Sequence, residues 1–300
     1  MSSLQAPAKR SLSELALIAN ELRQDVIREV FAAKSGHPGG SLSAADIMSA
    51  LWFSGAMTYN ASDQADHSHD RFFLSKGHAA PVLYAVFHQL GWISDEDIPT
   101  LRHLGSKLQG HPDCHALEGL EICSGSLGQG LSVSAGVALG LQIDDREAAP
   151  ADKRRVYCVL GDGEMQEGSN WEAMMFAVHH GLDNLVALLD LNNLKIDGHV
   201  TDVCSLGDID AKFTAFGWSV RRVNGHDIQA LIDALEWAKG QLGAGRPSVI
   251  ICETVKGKGV SFMEDQVGWH GKAPNAEQTD VALAELAAEH DRLEKEANNG

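Results

Sequence analysis

Two polar positions in the chain could hold a metal ion. Asp162 stands between Gly161 and Gly163, and Asn192 follows about thirty residues further along. A carboxylate and an amide oxygen, completed by a backbone carbonyl and phosphate oxygens, form the hard oxygen shell that Mg²⁺ or Ca²⁺ prefers. Each position alone is also typical of an ordinary turn at the end of a strand. The pair predicts a metal site if the fold brings both positions together.

Other phosphate and metal motifs do not account for this stretch. Gly163 and Gly168 have the spacing of a nucleotide-binding P-loop, but Ser169 and Asn170 follow instead of the required Lys. The segment "DLNNLKIDG" lacks the glycine that a calcium-binding EF-hand loop needs at its sixth position. The two motifs are therefore excluded.

The surrounding pattern predicts a sheet that would unite the two positions. The runs "RVYCVL", "NLVALLDL", "GWSVRRV" and "PSVIICETV" are rich in Val, Ile and Leu and alternate with helical stretches, which indicates a parallel sheet. Asp162 follows a strand at 156–160, a crossover helix covers 168–181, and Asn192 follows a strand at 185–191. Both side chains then emerge at the carboxyl ends of parallel strands, where open α/β sheets bind ligands.

The rest of the chain is predicted to form helices and glycine-rich loops. An amphipathic helix begins at a capping Ser11 and stops at Gly36, and a crossover helix runs from Asp227 as N-cap to Gly240. Residues 37–150 mix helical patterns with loops. We expect residues 1–10 to be a flexible leader and residues 11–300 to be a single domain.

Composition narrows the possible partners. The 300 residues are 44% hydrophobic and 22% charged, as in a globular protein. The net charge of -17 argues against binding to nucleic acid or to an anionic membrane. The five cysteines form no CxxC pair, which indicates reduced thiols and a cytoplasmic location. No run approaches the roughly twenty apolar residues of a membrane span.

A series of sequence blocks covers nearly the whole chain. The blocks are "SGHPGGSLSAADI", "DRFFLSKGHAAPVLYAVF", "LGSKLQGHPD", "SGSLGQGLSVSAGVALG", "GDGEMQEGSNWEA", "NNLKIDG" and "GWHGKAP". In this order they resemble transketolase, a family of thiamine diphosphate enzymes. The resemblance implies the thiamine-diphosphate-binding fold, an α/β fold with a mostly parallel central sheet and helices on both faces. It also implies transfer of a two-carbon ketol unit from a ketose, expected to be a phosphate ester, to an aldose.

The resemblance further implies a role for individual residues. The metal ligands would be Asp162, Asn192 and the Leu194 carbonyl; the catalytic histidines His37, His78, His111 and His270; and the cofactor contacts His78, Gly125, Ser126, Leu127, Asp162, Gly163, Glu167, Asn192 and His270. Imidazole suits catalysis here because it both orients hydroxyl groups and moves protons near neutral pH. Glu167 and Glu172 match carboxylates that face the partner domain.

Structural roles are expected for several other residues. Cys114, Cys158 and Cys252 are predicted to be buried as small apolar groups. Trp171, Met174, Met175 and Phe176 are predicted to be a core stripe of their helix. Ser41, Lys256 and Lys258 are weaker candidates for contact with the sugar. Two departures from the family put substrate preference in question: Lys76 stands where many relatives carry Asn, and Glu264 and Asp265 replace a segment rich in Ser and His.

The resemblance covers only the first of three transketolase domains. In the family, the glutamate that activates the aminopyrimidine of the cofactor and the groups that bind the sugar phosphate lie on the pyrimidine-binding and C-terminal domains. We therefore expect a second subunit that carries these domains, two copies of each chain in a heterotetramer, and a homodimer when the chain is alone.

Two other hypotheses remain open at this stage. The chain could belong to another two-chain thiamine diphosphate enzyme, such as the first component of a 2-oxoacid dehydrogenase or a relative of deoxyxylulose-phosphate synthase. It could also be a non-catalytic cofactor-binding module. The histidines of "SGHPGG" and "KGHA" argue against the first alternative, and the complete set of metal-binding and histidine residues argues against the second.

Overall fold

The computed structural model describes residues 9–149 and 152–299. Residues 1–8 of the predicted leader lie outside this part, so the leader and its boundary with a single domain stay predictions. Seven strands are present in the described residues: β1 (Arg71–Leu74), β2 (Val156–Gly161), β3 (Leu185–Leu191), β4 (Leu194–Lys195), β5 (Gly198–His199), β6 (Ser219–Asn224) and β7 (Ser248–Glu253). Five of them form one parallel sheet in the order β1-β2-β3-β7-β6, while β4 and β5 form a small antiparallel pair.

Helices fill most of the remaining described chain. The α-helices are α1 (Leu12–Ala33), α2 (Pro38–Ser43), α3 (Ala45–Phe53), α4 (Ala80–Gln89), α5 (Gln129–Asp144), α6 (Gly168–His179), α7 (Val200–Cys204), α8 (Ile209–Ala215), α9 (Ile228–Lys239) and α10 (Ala276–Asn299). Short 3₁₀ helices occupy 77–79, 98–100, 163–166 and 267–269. No helix in residues 9–149 and 152–299 is long and apolar enough to cross a membrane.

Side chains of the sheet alternate between two hydrophobic cores. Tyr157 and Val159 of β2 pack with α1, α3, α4 and α9 on one face. Val156, Cys158 and Leu160 of the same strand pack with α5, α6 and α8 on the other. This alternation follows from the period of two residues in a strand. The predicted α/β fold, with a mostly parallel sheet and helices on both faces, is confirmed.

Local signals in the sequence set several element boundaries. Ser11 and Glu14 form a reciprocal capping box at the start of α1, and the Asp227 carboxylate accepts the N–H of Ala230 at 3.0 Å at the start of α9. The strands predicted at 156–160 and 185–191 and the helix predicted at 168–181 agree with β2, β3 and α6 to within two residues.

One strand and two sets of predicted core residues differ from what the sequence predicted. Strand β1 was not predicted, because four residues are too short to show a period and its partner β2 lies far along the chain. Met174 and Trp171 contact the core as predicted, but Met175 is 56% exposed and Phe176 is 38% exposed. Consecutive residues of a helix point in different directions, so these two side chains reach the surface.

The buried-cysteine prediction also holds only in part. Cys158 and Cys252 are buried in the strands β2 and β7. Cys114 is only half-buried because it lies in a surface loop, where it contacts the exposed Cys123.

Candidate functional site

A cleft of about 360 Å³ opens where β2 and β3 end. Its lining includes these residues predicted from the sequence: His37, His78, His111, Gly125, Leu127, Asp162, Gly163, Glu167, Asn192, Leu194 and His270. Ser126, also predicted, is exposed and is not in this lining. The carboxyl edge of the sheet thus gathers segments from most of the chain length.

Asp162 is the buried carboxylate of this cleft. One of its oxygens accepts the N–H of Gly163 at 2.7 Å, and the other accepts the N–H of Asn193, which follows the neighbouring strand. Burial, with the negative charge of nearby Asp190, raises the pKa of Asp162 to about 6. A bound cation would lower that pKa again, because it stabilises the ionised form.

Two further oxygen atoms that could bind a metal ion line the cleft with Asp162, and the three are called the oxygen donors below. The Asn192 amide is held from both ends, since its Oδ1 accepts the N–H of Leu194 and its Nδ2 donates to Asp190, each at 3.1 Å. The Leu194 carbonyl accepts a hydrogen bond from Lys256 Nζ at 2.7 Å. A carbonyl oxygen has two lone pairs, so this bond leaves one free. The donor set of Asp162, Asn192 and Leu194 is all oxygen and fits a hard cation such as Mg²⁺ or Ca²⁺.

The four predicted histidines form one cluster in the cleft. The centroid of the His37 ring lies 5.3 Å from that of His78, 5.5 Å from that of His270 and 6.4 Å from that of His111. The His78 and His270 rings stack 5.4 Å apart. Burial and nearby cations lower all four pKa values, to about 4 for His37 and about 3 for His270. The four rings are therefore neutral at pH 7.

Two cations fix the tautomers of His37 and His270. Arg102 donates to Nδ1 of His37 at 3.3 Å, and Lys256 donates to Nδ1 of His270 at 2.8 Å. Since Nδ1 is the acceptor in each neutral ring, the proton must be on Nε2. Both rings consequently keep an Nε2–H group as a hydrogen-bond donor.

A buried ion pair lies below this cluster. Lys76 is 1% exposed; its Nζ pairs with the Asp190 carboxylate and donates to the Gly40 carbonyl at 2.7 Å. Asp190 also accepts from Ser43, at 2.7 Å, and from Thr254. Burial opposes ionisation of Asp190, but the Lys76 ammonium and these hydrogen bonds hold its pKa below the usual value. The pair fixes the α2 segment against the end of β3.

Backbone conformation brings the loop at 125–128 close to the histidines. Gly125 has φ of +140°, and a Cβ atom there would lie 2.9 Å from the His111 ring. The buried Glu164 accepts the N–H groups of Gly128 at 2.9 Å and Gly161 at 3.1 Å, together with the hydroxyl of Ser75. Glu164 therefore holds this loop against the end of β2.

Comparison with known proteins identifies the family. Residues 15–294 match the family model described as "Transketolase, thiamine diphosphate binding domain". The chain belongs to this family. It is 41% identical to human transketolase over 272 residues, which are 91% of this chain and 42% of that protein. It thus spans less than half the length of such relatives.

Other relatives are of similar length to this chain. A protein of Phocaeicola vulgatus, named as one of the subunits of apulose-4-phosphate transketolase, is 38% identical over 286 residues, 95% of this chain and 98% of that protein. Among solved structures, transketolase from Campylobacter jejuni superposes with a TM-score of 0.81 at 31% identity, covering 95% of this chain and 48% of that one. This transketolase domain therefore has relatives in both longer and similar-sized chains.

Three residues in the transketolase domain were missed or undervalued from the sequence. Asp190 and Glu164 were not singled out, although a lone carboxylate in the apolar run "LVALLDL" was a usable signal for Asp190. Lys256 was a weak candidate, yet it is 3% exposed and contacts both the histidine cluster and the oxygen donors. Burial lowers its pKa to about 8, so it remains protonated at pH 7.

The other weak candidates lie away from the cleft lining. Ser41 is buried and donates to the His37 carbonyl at 2.9 Å, which supports the turn of α2. Lys258 pairs with Glu264 at 3.2 Å, and neither residue lines the cleft in the described part of the chain, nor does Asp265. Of the two departures from the transketolase pattern, only Lys76 therefore reaches the cleft.

Proposed function

We propose that this chain is the diphosphate-binding subunit of a two-chain transketolase. The reaction would transfer a two-carbon ketol unit from a ketose, expected to be a phosphate ester, to an aldose. The observation that carries the proposal is the meeting of an all-oxygen donor set and four neutral imidazoles in one cleft. Nearly full-length similarity to proteins named as subunits of apulose-4-phosphate transketolases supports the two-chain form and a sugar phosphate substrate.

The oxygen donors would hold Mg²⁺ or Ca²⁺ together with the cofactor diphosphate. Asp162 supplies the one charged ligand, and Asn192 and the Leu194 carbonyl supply neutral oxygens. Gly163 has no side chain to keep the diphosphate away from the end of β2. The metal ion would offset the negative charge of Asp162 and of the diphosphate, in a chain whose formal net charge is -17.

The loop and the histidines would contact the organic part of the cofactor and the substrate. Gly125 and Leu127 would face the aminopyrimidine, Ser126 would be a further cofactor contact, and Glu167 would lie near the partner-facing side of the aminopyrimidine. His37, His78, His111 and His270 would orient substrate hydroxyls and move protons between them. Their lowered pKa values support this role, because they keep the rings neutral at pH 7. His37 and His270 would then donate from Nε2–H to substrate oxygens, since Arg102 and Lys256 already donate to their Nδ1 atoms. When bound, thiamine diphosphate supplies the carbanion chemistry.

A second subunit would cover the surface beside the cleft. Glu167 and Glu172 are exposed, and Met175, Phe176 and Val133 expose apolar side chains on the neighbouring helices α5 and α6. Such a mixed apolar and acidic surface suits a protein interface. We propose two copies of each chain in the complete enzyme and a homodimer in the absence of the partner. The free cysteines support a cytoplasmic location.

Calorimetry tests the cofactor part of the proposal. The chain, alone and mixed with a candidate second subunit, is titrated with thiamine diphosphate in Mg²⁺ and again in excess chelator. We expect heat of binding only in Mg²⁺, because the diphosphate would otherwise face Asp162 without a counter-ion. Equal binding under both conditions would contradict the oxygen-donor site.

A further inference from the structure

A second group of metal-ligating side chains lies in the surface loop between His111 and Gly125. Asp113, Cys114, His115 and Cys123 each offer one ligand atom, and these atoms all lie within 4.8 Å of one another. The two sulfur atoms are 3.3 Å apart, and the Cys123 sulfur is 3.2 Å from Oδ1 of Asp113. The loop thus brings two thiols, one imidazole and one carboxylate to a common point.

We propose that this cluster binds a zinc ion. Two thiolates, an imidazole and a carboxylate form a four-coordinate set of the ligand types that Zn²⁺ prefers. Sulfur atoms that share one tetrahedral zinc ion lie about 3.8 Å apart, given Zn–S bonds of about 2.3 Å. The observed sulfur–sulfur separation of 3.3 Å requires only a small adjustment to that value.

The ligand chemistry separates this site from the oxygen donors of the cleft. Asp162, Asn192 and Leu194 offer oxygen alone, which suits a hard cation, whereas thiolates select softer ions. A disulfide between Cys114 and Cys123 would use the two sulfurs only, at about 2.05 Å. It would leave the His115 imidazole without a role, whereas a metal ion would use that ring together with the Asp113 carboxylate, whose Oδ1 also accepts the backbone N–H of His115 at 2.9 Å.

Zinc bound here would connect the two ends of the loop that carries cleft residues. Cys123 precedes Ser124, whose N–H donates to the Pro112 carbonyl at 3.0 Å. His111 lies just before Pro112, and Gly125 just after Ser124; a Cβ atom at Gly125 would come within 2.9 Å of the His111 ring. A metal cross-link over 113–123 would therefore hold His111 and Gly125 together. This binding does not depend on the proposed activity.

Cobalt spectroscopy tests the site without any assay of turnover. Reduced, untagged chain without thiamine diphosphate is titrated with Co²⁺ in excess Mg²⁺, so that Mg²⁺ competes for the oxygen donors of the cleft. We expect a sulfur-to-cobalt charge-transfer band that saturates at one Co²⁺ per chain and disappears when Zn²⁺ is added. The band should be lost in Cys123→Ser and weakened in His115→Ala. Cys204→Ser, which removes an exposed thiol outside the cluster, should keep the full band.

The possible outcomes test both the site and its set of four ligands. No band in the reduced wild-type chain, or the same band in Cys123→Ser, would overturn the site. A band unaffected by His115→Ala would overturn the four-ligand assignment. Circular dichroism is used to check that each variant is folded, which we expect because the changes are at the surface.

Hydrogen exchange tests the effect on the loop. Zn²⁺ should slow amide exchange within 111–127 of the wild-type chain and leave it unchanged in Cys123→Ser. Equal exchange of the wild-type segment with and without bound Zn²⁺ would overturn the cross-link.

Discussion

The ammonium of Lys256 lies 2.8 Å from Nδ1 of His270 and 2.7 Å from the carbonyl oxygen of Leu194. One cation therefore contacts both the histidine cluster and the oxygen donors proposed to hold a metal ion. Its positive charge also lowers the pKa of His270, because a positive neighbour disfavours a second positive charge on the ring.

Replacing Lys256 should change the pKa of His270. Burial is the largest cause of the low pKa of that ring and Lys256 is the next. In Lys256→Met we expect the pKa to rise from about 3 but to stay below 6.5, because burial remains. Titration of the His270 ring by NMR measures this. Lys258→Met, which changes the neighbouring lysine paired with Glu264, should leave the His270 titration unchanged. An unaltered His270 pKa in Lys256→Met would contradict the contact.

The sequence allowed the layers of the fold to be predicted because local patterns encode them. Long apolar runs indicated β2, β3 and β7, and the caps at Ser11 and Asp227 fixed the starts of two helices. Strand β1 is short, and its place is set by pairing with β2 across a long stretch of chain. Such a non-local pairing leaves no periodic signal in four residues.

The candidate site also combines features that local sequence patterns predict with features that depend on contacts between distant segments. Most residues that line the cleft could be predicted from the glycine and histidine blocks, because each block is a contiguous stretch of sequence. The bonds of Asp190 to Lys76, Ser43 and Thr254 join three distant segments at one carboxylate. Nothing in any single segment specifies that meeting point. The exposure of Met175 and Phe176 likewise depends on which face of α6 meets the sheet.

Removing the charged oxygen donor should prevent metal-dependent cofactor binding. We expect Asp162→Ala to abolish the calorimetric signal for thiamine diphosphate with Mg²⁺, since it removes the single carboxylate of the donor set. Asn192→Ala should weaken affinity less, but by at least about tenfold, the lower end of the loss caused even by outer-shell partners of a metal ligand. Asp197→Ala is the matched control, because Asp197 also lines the cleft but is exposed. Unchanged affinity in Asp162→Ala would refute the assignment.

The histidines should affect turnover more than cofactor binding. We expect His78→Ala and His270→Ala to bind thiamine diphosphate with Mg²⁺ nearly as the wild-type chain does. Turnover of the complete enzyme should fall by about 10²–10⁴-fold, the usual contribution of general acid-base groups. His103→Ala, which alters an exposed histidine, should keep wild-type turnover. The role would be wrong if both cleft variants turned over at the wild-type rate.

The buried carboxyl group of Glu29 should make stability fall as pH rises. Neither of its oxygens has a hydrogen-bond partner among the described residues, and burial, reinforced by Asp25, raises its pKa well above 4.5. Above pH 4.5 the unfolded chain loses this proton while the folded chain keeps it, so folding weakens by about 1.4 kcal/mol per pH unit until the folded pKa is reached.

Glu29→Gln isolates that effect. Urea unfolding at pH 5 and pH 8 should show the variant gaining free energy of unfolding relative to the wild-type chain as pH rises. Glu118→Gln, at an exposed position, should show no such pH-dependent difference. A constant difference between Glu29→Gln and wild type at both pH values would mean that Glu29 is already ionised in the folded chain.

We expect this chain alone to show no ketol transfer and to gain activity with a second subunit. The family resemblance implies that a glutamate of the pyrimidine-binding domain activates the cofactor. In the described residues, Glu164 is the buried glutamate of the cleft, and its oxygens are already bonded to Ser75, Gly128 and Gly161. Glu167 also lines the cleft but is exposed to solvent.

Neither cleft glutamate is therefore placed to activate the cofactor: Glu164 would have to release the loop at 125–128, and Glu167 lacks the dry surroundings that make a carboxylate an effective proton donor. A steady-state assay compares this chain, a candidate second chain and their mixture, each saturated with thiamine diphosphate and Mg²⁺ and given a ketose phosphate and an aldose. Activity should appear only in the mixture and should be lost when Asp162→Ala replaces the wild-type chain. Robust turnover by the single chain would show that it carries its own activating carboxylate, in which case Glu164→Gln and Glu167→Gln would identify which one acts.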